Sequence, residues 1–234
     1  AGHLDPLCDN ARELGLAVYA GVIERSVERG GFSLYACLVH ISQEGRIESA
    51  HRKLMPTYEE RLVWSPGDGN GLRVHDLCEF RVGGLNCWEN WMPLPRAALY
   101  GQGENLHVAV WPGSRRNTAD ITRFIAKESR SYVVSVSGMM HADRIPDGVP
   151  HADLIREAAE GWLADGGSCV AGPDGQWVLE PQVGEEGLWV VEADISVVAR
   201  ERQNFDPAGH YSRPDVTRLK VNRKRQKTVK LTDD

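Results

Sequence analysis

The chain has 234 residues and a formal net charge of −6 at pH 7, with 41% hydrophobic and 26% charged residues. These values are typical of a soluble globular protein large enough for one domain with a substantial core, and the acidic balance argues against general nucleic-acid binding. No apolar run reaches the roughly eighteen residues of a membrane-spanning helix. The 5 cysteines are widely spaced without a C-x-x-C pair, which argues against a disulfide framework or a structural zinc site. We therefore expect a cytoplasmic protein with no membrane or nucleic-acid partner.

The hydrophobic pattern predicts helices and strands that alternate along the chain. Helices are predicted over residues 5–15, 88–101, 118–131, 150–163 and 195–204. Strands are predicted over residues 16–23, 32–42, 47–53, 72–80, 106–111, 132–137, 168–171, 176–179 and 187–193. Many of these strands are apolar throughout, which is typical of sheets covered on one face by helices and packed by the other face against a second sheet. The predicted fold class is therefore α/β, with at least part of the sheet antiparallel or mixed.

The segment 81–93, RVGGLNCWENWMP, predicts a strand, a tight turn and the start of a helix, with Cys87 at the bend. A helix dipole lowers the pKa of a thiol held at its N-terminus, and the thiolate is the reactive form. Serine hydrolases carry their nucleophile on a similar strand–turn–helix elbow. The alternative is that Cys87 is one more small apolar core residue, as most free cysteines are.

Lys53, like Cys87, ends a predicted strand. Because neighbouring strands of an α/β sheet end on the same side, the two side chains can converge, and a lysine would hold a thiolate ionised. The local alternatives are that Lys53 is a solvated strand end and that Glu60 forms a capping box with Thr57. The histidines show no spacing such as H-E-x-x-H that would indicate a metal.

Three segments of the chain resemble nitrilases, a branch of the carbon–nitrogen hydrolase superfamily. They are HRKLMPTYEER at 51–61, GGLNCWENWMPL at 83–94 and FDPAGHYSRPDV at 205–216. The resemblance extends from near the first residues to Asp215. It implies an α-β-β-α sandwich, hydrolysis of an aromatic or arylaliphatic nitrile to a carboxylic acid and ammonia, and no metal or organic cofactor. It also implies a homo-oligomer, from a dimer to a spiral or filament.

The resemblance assigns roles residue by residue. Cys87 matches the nucleophile, which forms thioimidate and thioester intermediates. Lys53 matches the lysine that binds the tetrahedral intermediate, and Glu60 matches a supporting glutamate. The backbone N–H of Trp88 matches a second group that stabilises the intermediate. The positions that match the lining of the substrate pocket are Trp88, Tyr58 and Trp111.

One family residue has no counterpart here. The general base of the family is a glutamate upstream of the lysine, in the first β-α-β stretch, and Glu24 matches a different position. We therefore expect a nitrilase-like domain over residues 1–213 that lacks this stretch. The basic tail over 214–234 is expected to be a solvated or disordered end, or an electrostatic contact with an acidic partner. Two alternatives stay open: an amidase or cyanide hydratase of the same superfamily, and a catalytically inactive fragment that serves as an assembly or binding subunit.

Overall fold

The computed structural model describes residues 2–159 and 161–229. The chain forms two compact units. Within the described residues, unit 1 comprises everything up to Gly103 together with the residues from Arg213 onward, and unit 2 comprises Glu104–Ser212. None of the helices in the described part of the chain combines the length and the apolar character needed to cross a membrane.

Unit 1 contains the segments that carry the predicted site. Its helices are α1 (Asp5–Leu14) and α2 (Pro93–Tyr100), with short 3-10 helices at Tyr58–Leu62 and Cys87–Trp91. Its strands are β1 (Val18–Ser26), β2 (Ser33–Ile41), β3 (Ile47–Arg52), β4 (His75–Leu77) and β5 (Phe80–Asn86). The first three form an antiparallel sheet in the order β1-β2-β3, and β4 and β5 form an antiparallel hairpin.

Strand β2 divides its side chains between two faces of the sheet. Val39 and Ile41 are buried in one cluster with Ala11 of α1, so this face is covered by the helix. His40 lies between them in sequence and therefore points to the opposite face. On that face the hydroxyl of Tyr19, which pairs with His40, donates to the carbonyl oxygen of Val82 in β5 at 3.0 Å. The hairpin β4–β5 is thereby held against the second face of the sheet.

Part of the basic tail is bound to unit 1. The Arg225 guanidinium forms an ion pair with Asp68 at 3.1 Å and donates to the carbonyl oxygen of Ala50 at 2.8 Å. The backbone N–H of Gln226 donates to the second Asp68 oxygen at 2.8 Å. The Asn70 side-chain amide donates to the carbonyl oxygen of Arg223 at 3.1 Å. The tail around Arg225 is therefore a packed segment and not a free end, while residues 230–234 lie outside the described residues.

Unit 2 is an α/β unit with its own core. Its helices are α3 (Arg115–Ser129), α4 (Ala152–Ala158) and α5 (Ile195–Arg202). Its strands are β6 (Leu106–Trp111), β7 (Tyr132–Ser137), β8 (Met139–His141), β9 (Trp162–Ala171) and β10 (Trp177–Val183). The pair β6–β7 is parallel, and β7–β9, β9–β10 and β8–β9 are antiparallel. Helix α3 buries Ile121 and Ile125 completely.

The element predictions are confirmed in most places and wrong in three. The strand predicted over 72–80 is a short strand, a turn in which Cys78 has φ +51°, and the start of β5. The helix predicted over 150–163 ends at Ala158, and Trp162 already belongs to β9. The residues 187–193 form no strand among the described residues, and Leu188 there is 92% exposed, so apolar character did not mark a buried strand.

Candidate functional site

Cys87 lies at a sharp bend between β5 and the 3-10 helix Cys87–Trp91. Its φ is +54°, in the left-handed region that non-glycine residues seldom adopt and that costs free energy unless the surroundings enforce it. The side chain is buried, with 8% of the residue exposed. The predicted elbow is therefore present, and the helix that follows it begins as a 3-10 helix.

Glu89 holds the bend in place. Asn86 and Glu89 form a capping box, in which the backbone N–H of Asn86 donates to Glu89 Oε2 at 3.0 Å. Glu89 is 1% exposed, so its carboxylate depends on protein donors. Asn90 adds a second support, because its side-chain amide donates to the carbonyl oxygen of Cys87 at 2.9 Å. These local bonds enforce the unusual backbone at the cysteine.

The same carboxylate reaches across to the end of strand β3. The backbone N–H of Leu54 donates to Glu89 Oε1 at 2.6 Å, and His51 Nε2 lies 3.0 Å from Glu89 Oε2. Lys53 stands between these two residues in the chain, so its backbone is held against the segment that carries Cys87. Glu89 thus links the two strand ends on which the predicted catalytic side chains stand.

Lys53 is buried and paired. Its Nζ lies 2.5 Å from Glu60 Oε2 and 3.1 Å from Thr57 Oγ1. Glu60 also accepts the backbone N–H of Thr57 at 2.6 Å, which completes the predicted capping box of the 3-10 helix Tyr58–Leu62. The same Glu60 carboxylate therefore caps the N-terminus of this 3-10 helix and orients the Lys53 ammonium group.

Burial raises the pKa of the Cys87 thiol above its usual value. The Lys53 ammonium and a hydrogen bond from the backbone N–H of Trp88 lower this pKa, whereas the Glu60 charge raises it. The expectation that the helix terminus leaves the thiol with a lowered pKa is therefore wrong, because desolvation is the largest cause. A thiol in this environment needs a proton acceptor to become a nucleophile at neutral pH.

The predicted pocket residues differ in exposure. Trp88 is 50% exposed, and its ring centroid lies 6.4 Å from that of Trp91. Tyr58 is 78% exposed and has φ +45°. Trp111 lies at the end of β6 in unit 2, where it is buried and its indole N–H donates to Ser135 Oγ at 3.3 Å. The roles of these three side chains in substrate binding stay predictions.

Glu24 forms a partly buried ion pair with Arg52. Arg52 Nε donates to Glu24 Oε2 at 2.8 Å, and Arg52 Nη2 pairs with the other carboxylate oxygen. The hydrogen bond from Arg52 lowers the pKa of Glu24. The Cys37 thiol donates to the same carboxylate at 3.0 Å. The Glu24 carboxylate is thus held by Arg52 and Cys37. This engagement is consistent with the expectation that Glu24 is not the general base.

The hydrogen bonds of His51 and Glu89 beside the candidate site were not predicted from the sequence. The spacing of Asn86 and Glu89 is that of a capping box and was a usable signal for the glutamate. Its contacts with β3 had no local signal, because they join residues 35 or more positions apart. Among the described residues, the side chains grouped at metal-ligand spacing are His40, Glu48 and His75, and the thiol and lysine are not part of that group.

The backbone packs tightly against the lysine at Gly67. Gly67 N–H donates to the carbonyl oxygen of Lys53 at 2.8 Å, and a Cβ at this position would overlap the carbonyl oxygen of Arg52 and lie 2.6 Å from that of Lys53. We therefore expect Gly67→Ala to lower the free energy of unfolding by about 1–3 kcal/mol through overpacking. Urea denaturation measures this change. Gly148→Ala is the matched control, because a Cβ there meets nothing within 4 Å, and equal effects of the two variants would contradict the prediction.

Comparisons with known proteins identify what the chain is similar to. The family model for carbon-nitrogen hydrolase matches residues 2–203. The chain is 38% identical over 232 residues to "Nitrilase 2" of an unknown prokaryotic organism, covering 98% of this chain and 71% of the relative. It is 33% identical over 237 residues to an aliphatic nitrilase of Rhodococcus rhodochrous, covering 95% of this chain and 62% of the relative. The chain therefore spans only part of the length of these relatives.

A solved structure shows the same fold. The carbon-nitrogen hydrolase of Helicobacter pylori G27 superposes with a TM-score of 0.69 at 18% sequence identity, covering 89% of this chain and 72% of that chain. At this identity the likeness concerns the fold alone. It confirms the predicted α/β class of the α-β-β-α sandwich type.

Proposed function

Because this chain belongs to the carbon–nitrogen hydrolase family, in its nitrilase branch, we propose that the whole protein hydrolyses a nitrile to a carboxylic acid and ammonia with Cys87 as the nucleophile. The observation that carries the proposal is the joint placement of Cys87 and Lys53. The thiol stands on a strained, buried elbow, and the lysine charge acts on that thiol while Glu60 orients the ammonium group. A nucleophile next to a fixed positive charge suits attack on a polarised carbon–nitrogen bond.

The proposed reaction proceeds through a covalent intermediate. The thiol gives its proton to a base, and the sulfur attacks the nitrile carbon to form a thioimidate. Water adds to this carbon, ammonia leaves with the nitrogen, and a thioester remains on Cys87. A second water then releases the carboxylic acid and restores the thiol. Lys53 and the backbone N–H of Trp88 stabilise the negative charge that develops on the attacked group.

The identity of the base follows from the resemblance. It assigns this role to a glutamate upstream of the lysine, for which no residue described here is a match. Glu24 is held by Arg52, and Glu60 is held by Lys53 and Thr57. We therefore infer that Glu60 acts as a supporting residue for the lysine and not as the general base.

The substrate is proposed to be an aromatic or arylaliphatic nitrile. Trp88 supports this choice, because it follows the nucleophile directly and leaves half of its surface exposed, with the Trp91 ring nearby. Such side chains favour flat apolar groups. Because one relative is an aliphatic nitrilase, aliphatic nitriles are the necessary comparison. A homo-oligomeric state and a cytoplasmic location are further proposals from the resemblance.

A substrate panel tests the proposal. Benzonitrile, phenylacetonitrile, butyronitrile and the three matching amides are incubated with the whole protein, as the wild type and as the Cys87→Ala and Cys78→Ala variants. Ammonia release and product chromatography are the measurements. We expect release from nitriles, fastest for the aromatic members, to fall at least about 10³-fold in Cys87→Ala because the nucleophile is lost. Cys78→Ala, which removes an exposed free cysteine, is the control and should retain full turnover.

The other outcomes point to specific alternatives. Ammonia from amides but never from nitriles would replace the nitrilase proposal by an amidase. Amide as the main product of nitriles would favour a hydratase. A folded whole protein that turns over none of the six compounds would favour the second candidate, an inactive assembly or binding subunit. The raised pKa of the Cys87 thiol and the ion pair that holds Glu24 support this candidate.

A further inference from the structure

We propose that His40, Glu48 and His75 form a binding site for a divalent transition-metal ion of the zinc type. The three side chains lie in unit 1, on strands β2, β3 and β4. Their candidate ligand atoms lie within 4.8 Å of one another. Two imidazole nitrogens and one carboxylate oxygen are a donor set that zinc uses in proteins, with the remaining position taken by water.

A β-bulge brings the glutamate to the histidine. His40 pairs with Ser49, and the next pair is Ile41 with Ile47, so Glu48 is an extra residue without a partner across the ladder. In a regular strand Glu48 would point away from the face that Ser49 shares with His40. The bulge redirects its side chain so that the carboxylate meets both histidines.

The distances fit a common ion. Glu48 Oε2 lies 3.3 Å from His40 Nδ1 and 3.2 Å from His75 Nδ1. Ligand atoms of a tetrahedral zinc ion, each about 2.0–2.1 Å from the metal, lie about 3.3 Å apart. The two observed separations therefore match two edges of such a tetrahedron.

The His40 nitrogen is buried and faces the carboxylate without a hydrogen bond. His40 is 2% exposed, and within the described residues its Nδ1 has no hydrogen-bond partner. An unpaired buried nitrogen costs free energy, and a lone pair that faces a carboxylate oxygen is repelled by it. A cation between the two atoms would turn this repulsion into two favourable contacts.

His75 has the second contact that a metal-binding histidine needs. Its Nε2 lies 2.8 Å from Ser49 Oγ, and a hydroxyl can accept a proton from this nitrogen or donate one to it. With Nε2–H donating to Ser49, the Nδ1 lone pair is free for an ion, which is the usual arrangement around metal-bound histidines. Ser49 therefore selects the ring orientation that points Nδ1 to Glu48.

Access and ring packing set the expected strength of binding. The Glu48 side chain is 41% exposed, so an ion and its water ligand can enter from this side. The His40 and His75 rings stack with centroids 4.1 Å apart and an interplanar angle of 27°. Both Nδ1 atoms can point to one ion only if the rings turn out of this stack. The lost stacking opposes binding, so we expect moderate affinity and a strong dependence on each ligand.

Metal titration tests the site. Zn²⁺ binding is measured by competition with a chromogenic chelator, and Co²⁺ binding by visible absorption, on the whole chain and on His40→Gln, Glu48→Gln and His75→Gln. We expect one equivalent to bind to the wild type and each variant to bind at least tenfold more weakly. Glu48→Gln is the most informative variant. Because the Glu48 side chain is 41% exposed, a loss of metal binding in this variant cannot be attributed to misfolding. His3→Gln, at an exposed histidine, is the matched control and should bind as the wild type does.

Two further readouts separate this site from the cysteines. Bound Co²⁺ should lack the sulfur-to-metal charge-transfer band that a thiolate ligand produces. Zn²⁺ should raise the thermal unfolding midpoint of the wild type and of His3→Gln but not that of Glu48→Gln, because an ion that binds only the folded chain stabilises it. Absence of binding, or binding that is unchanged in the three ligand variants, would show a hydrogen-bonded cluster only and overturn the proposal.

Discussion

Replacement of Glu89 by alanine is expected to lower the free energy of unfolding by about 3–5 kcal/mol. The variant removes the carboxylate that accepts the backbone N–H groups of Asn86 and Leu54 and that contacts the His51 ring. Each buried polar group left unpaired costs about 1–3 kcal/mol. The link between the Lys53 strand and the cysteine elbow is lost at the same time. Urea denaturation and the rate of alkylation of Cys87 by iodoacetamide measure the two effects.

Two matched variants distinguish this prediction from general destabilisation. Glu89→Gln keeps one acceptor oxygen and should retain more stability than the alanine variant. Glu59→Ala removes an exposed carboxylate of the same type and should change the free energy of unfolding by less than about 0.5 kcal/mol. An alanine variant at position 89 with wild-type stability and wild-type alkylation would show that the carboxylate does not hold the two segments together.

Replacement of Lys53 by methionine is expected to shift the alkylation profile of Cys87 to higher pH. The lysine charge lowers the pKa of the thiol, so its removal leaves desolvation less opposed, and less thiolate forms at neutral pH. The proposed nitrile turnover of the whole protein should fall about 10²–10³-fold, the usual effect of removing one group that stabilises a developing negative charge. The measurements are the pH dependence of alkylation and ammonia release.

A second variant, which should shift the alkylation profile in the opposite direction, makes this prediction easier to refute. The Glu60 charge raises the pKa of the thiol, so Glu60→Gln should shift the alkylation profile to lower pH while Lys53→Met shifts it to higher pH. Lys220→Met, at an exposed lysine of the same unit, should leave the profile where it is. Shifts in the same direction for Lys53→Met and Glu60→Gln would contradict the electrostatic account of the pair.

The sequence predicted the parts of the site that have local signatures. The elbow at Cys87 and the capping box of Thr57 with Glu60 depend on spacings of a few residues, and both are confirmed. The direction of the thiol pKa was predicted wrongly. It depends on how deeply the thiol is buried, which is a property of the packed molecule.

The remaining features join distant parts of the chain and left no local pattern. Glu89, in the 3-10 helix that follows β5, accepts a hydrogen bond from the backbone at the end of β3. Glu48 lies near His40 because a β-bulge redirects its side chain. Residues 72–80 read as one strand because the turn at Cys78 lacks glycine and proline, the residues that usually mark a turn. Similarly, the apolar segment around Leu188 matches a strand by composition, but no strand pairs with it among the described residues.

The ion pair between Arg225 and Asp68 has a consequence for how the chain acquires its structure. These residues are 157 positions apart in the sequence, and along the chain the segment of unit 2 comes between the two segments of unit 1. During synthesis from the N-terminus, unit 2 is complete before the segment that closes unit 1 has been made. Contacts of such long range close slowly. We therefore expect the loop that binds the lysine strand to reach its final order last, when Arg225 arrives at Asp68.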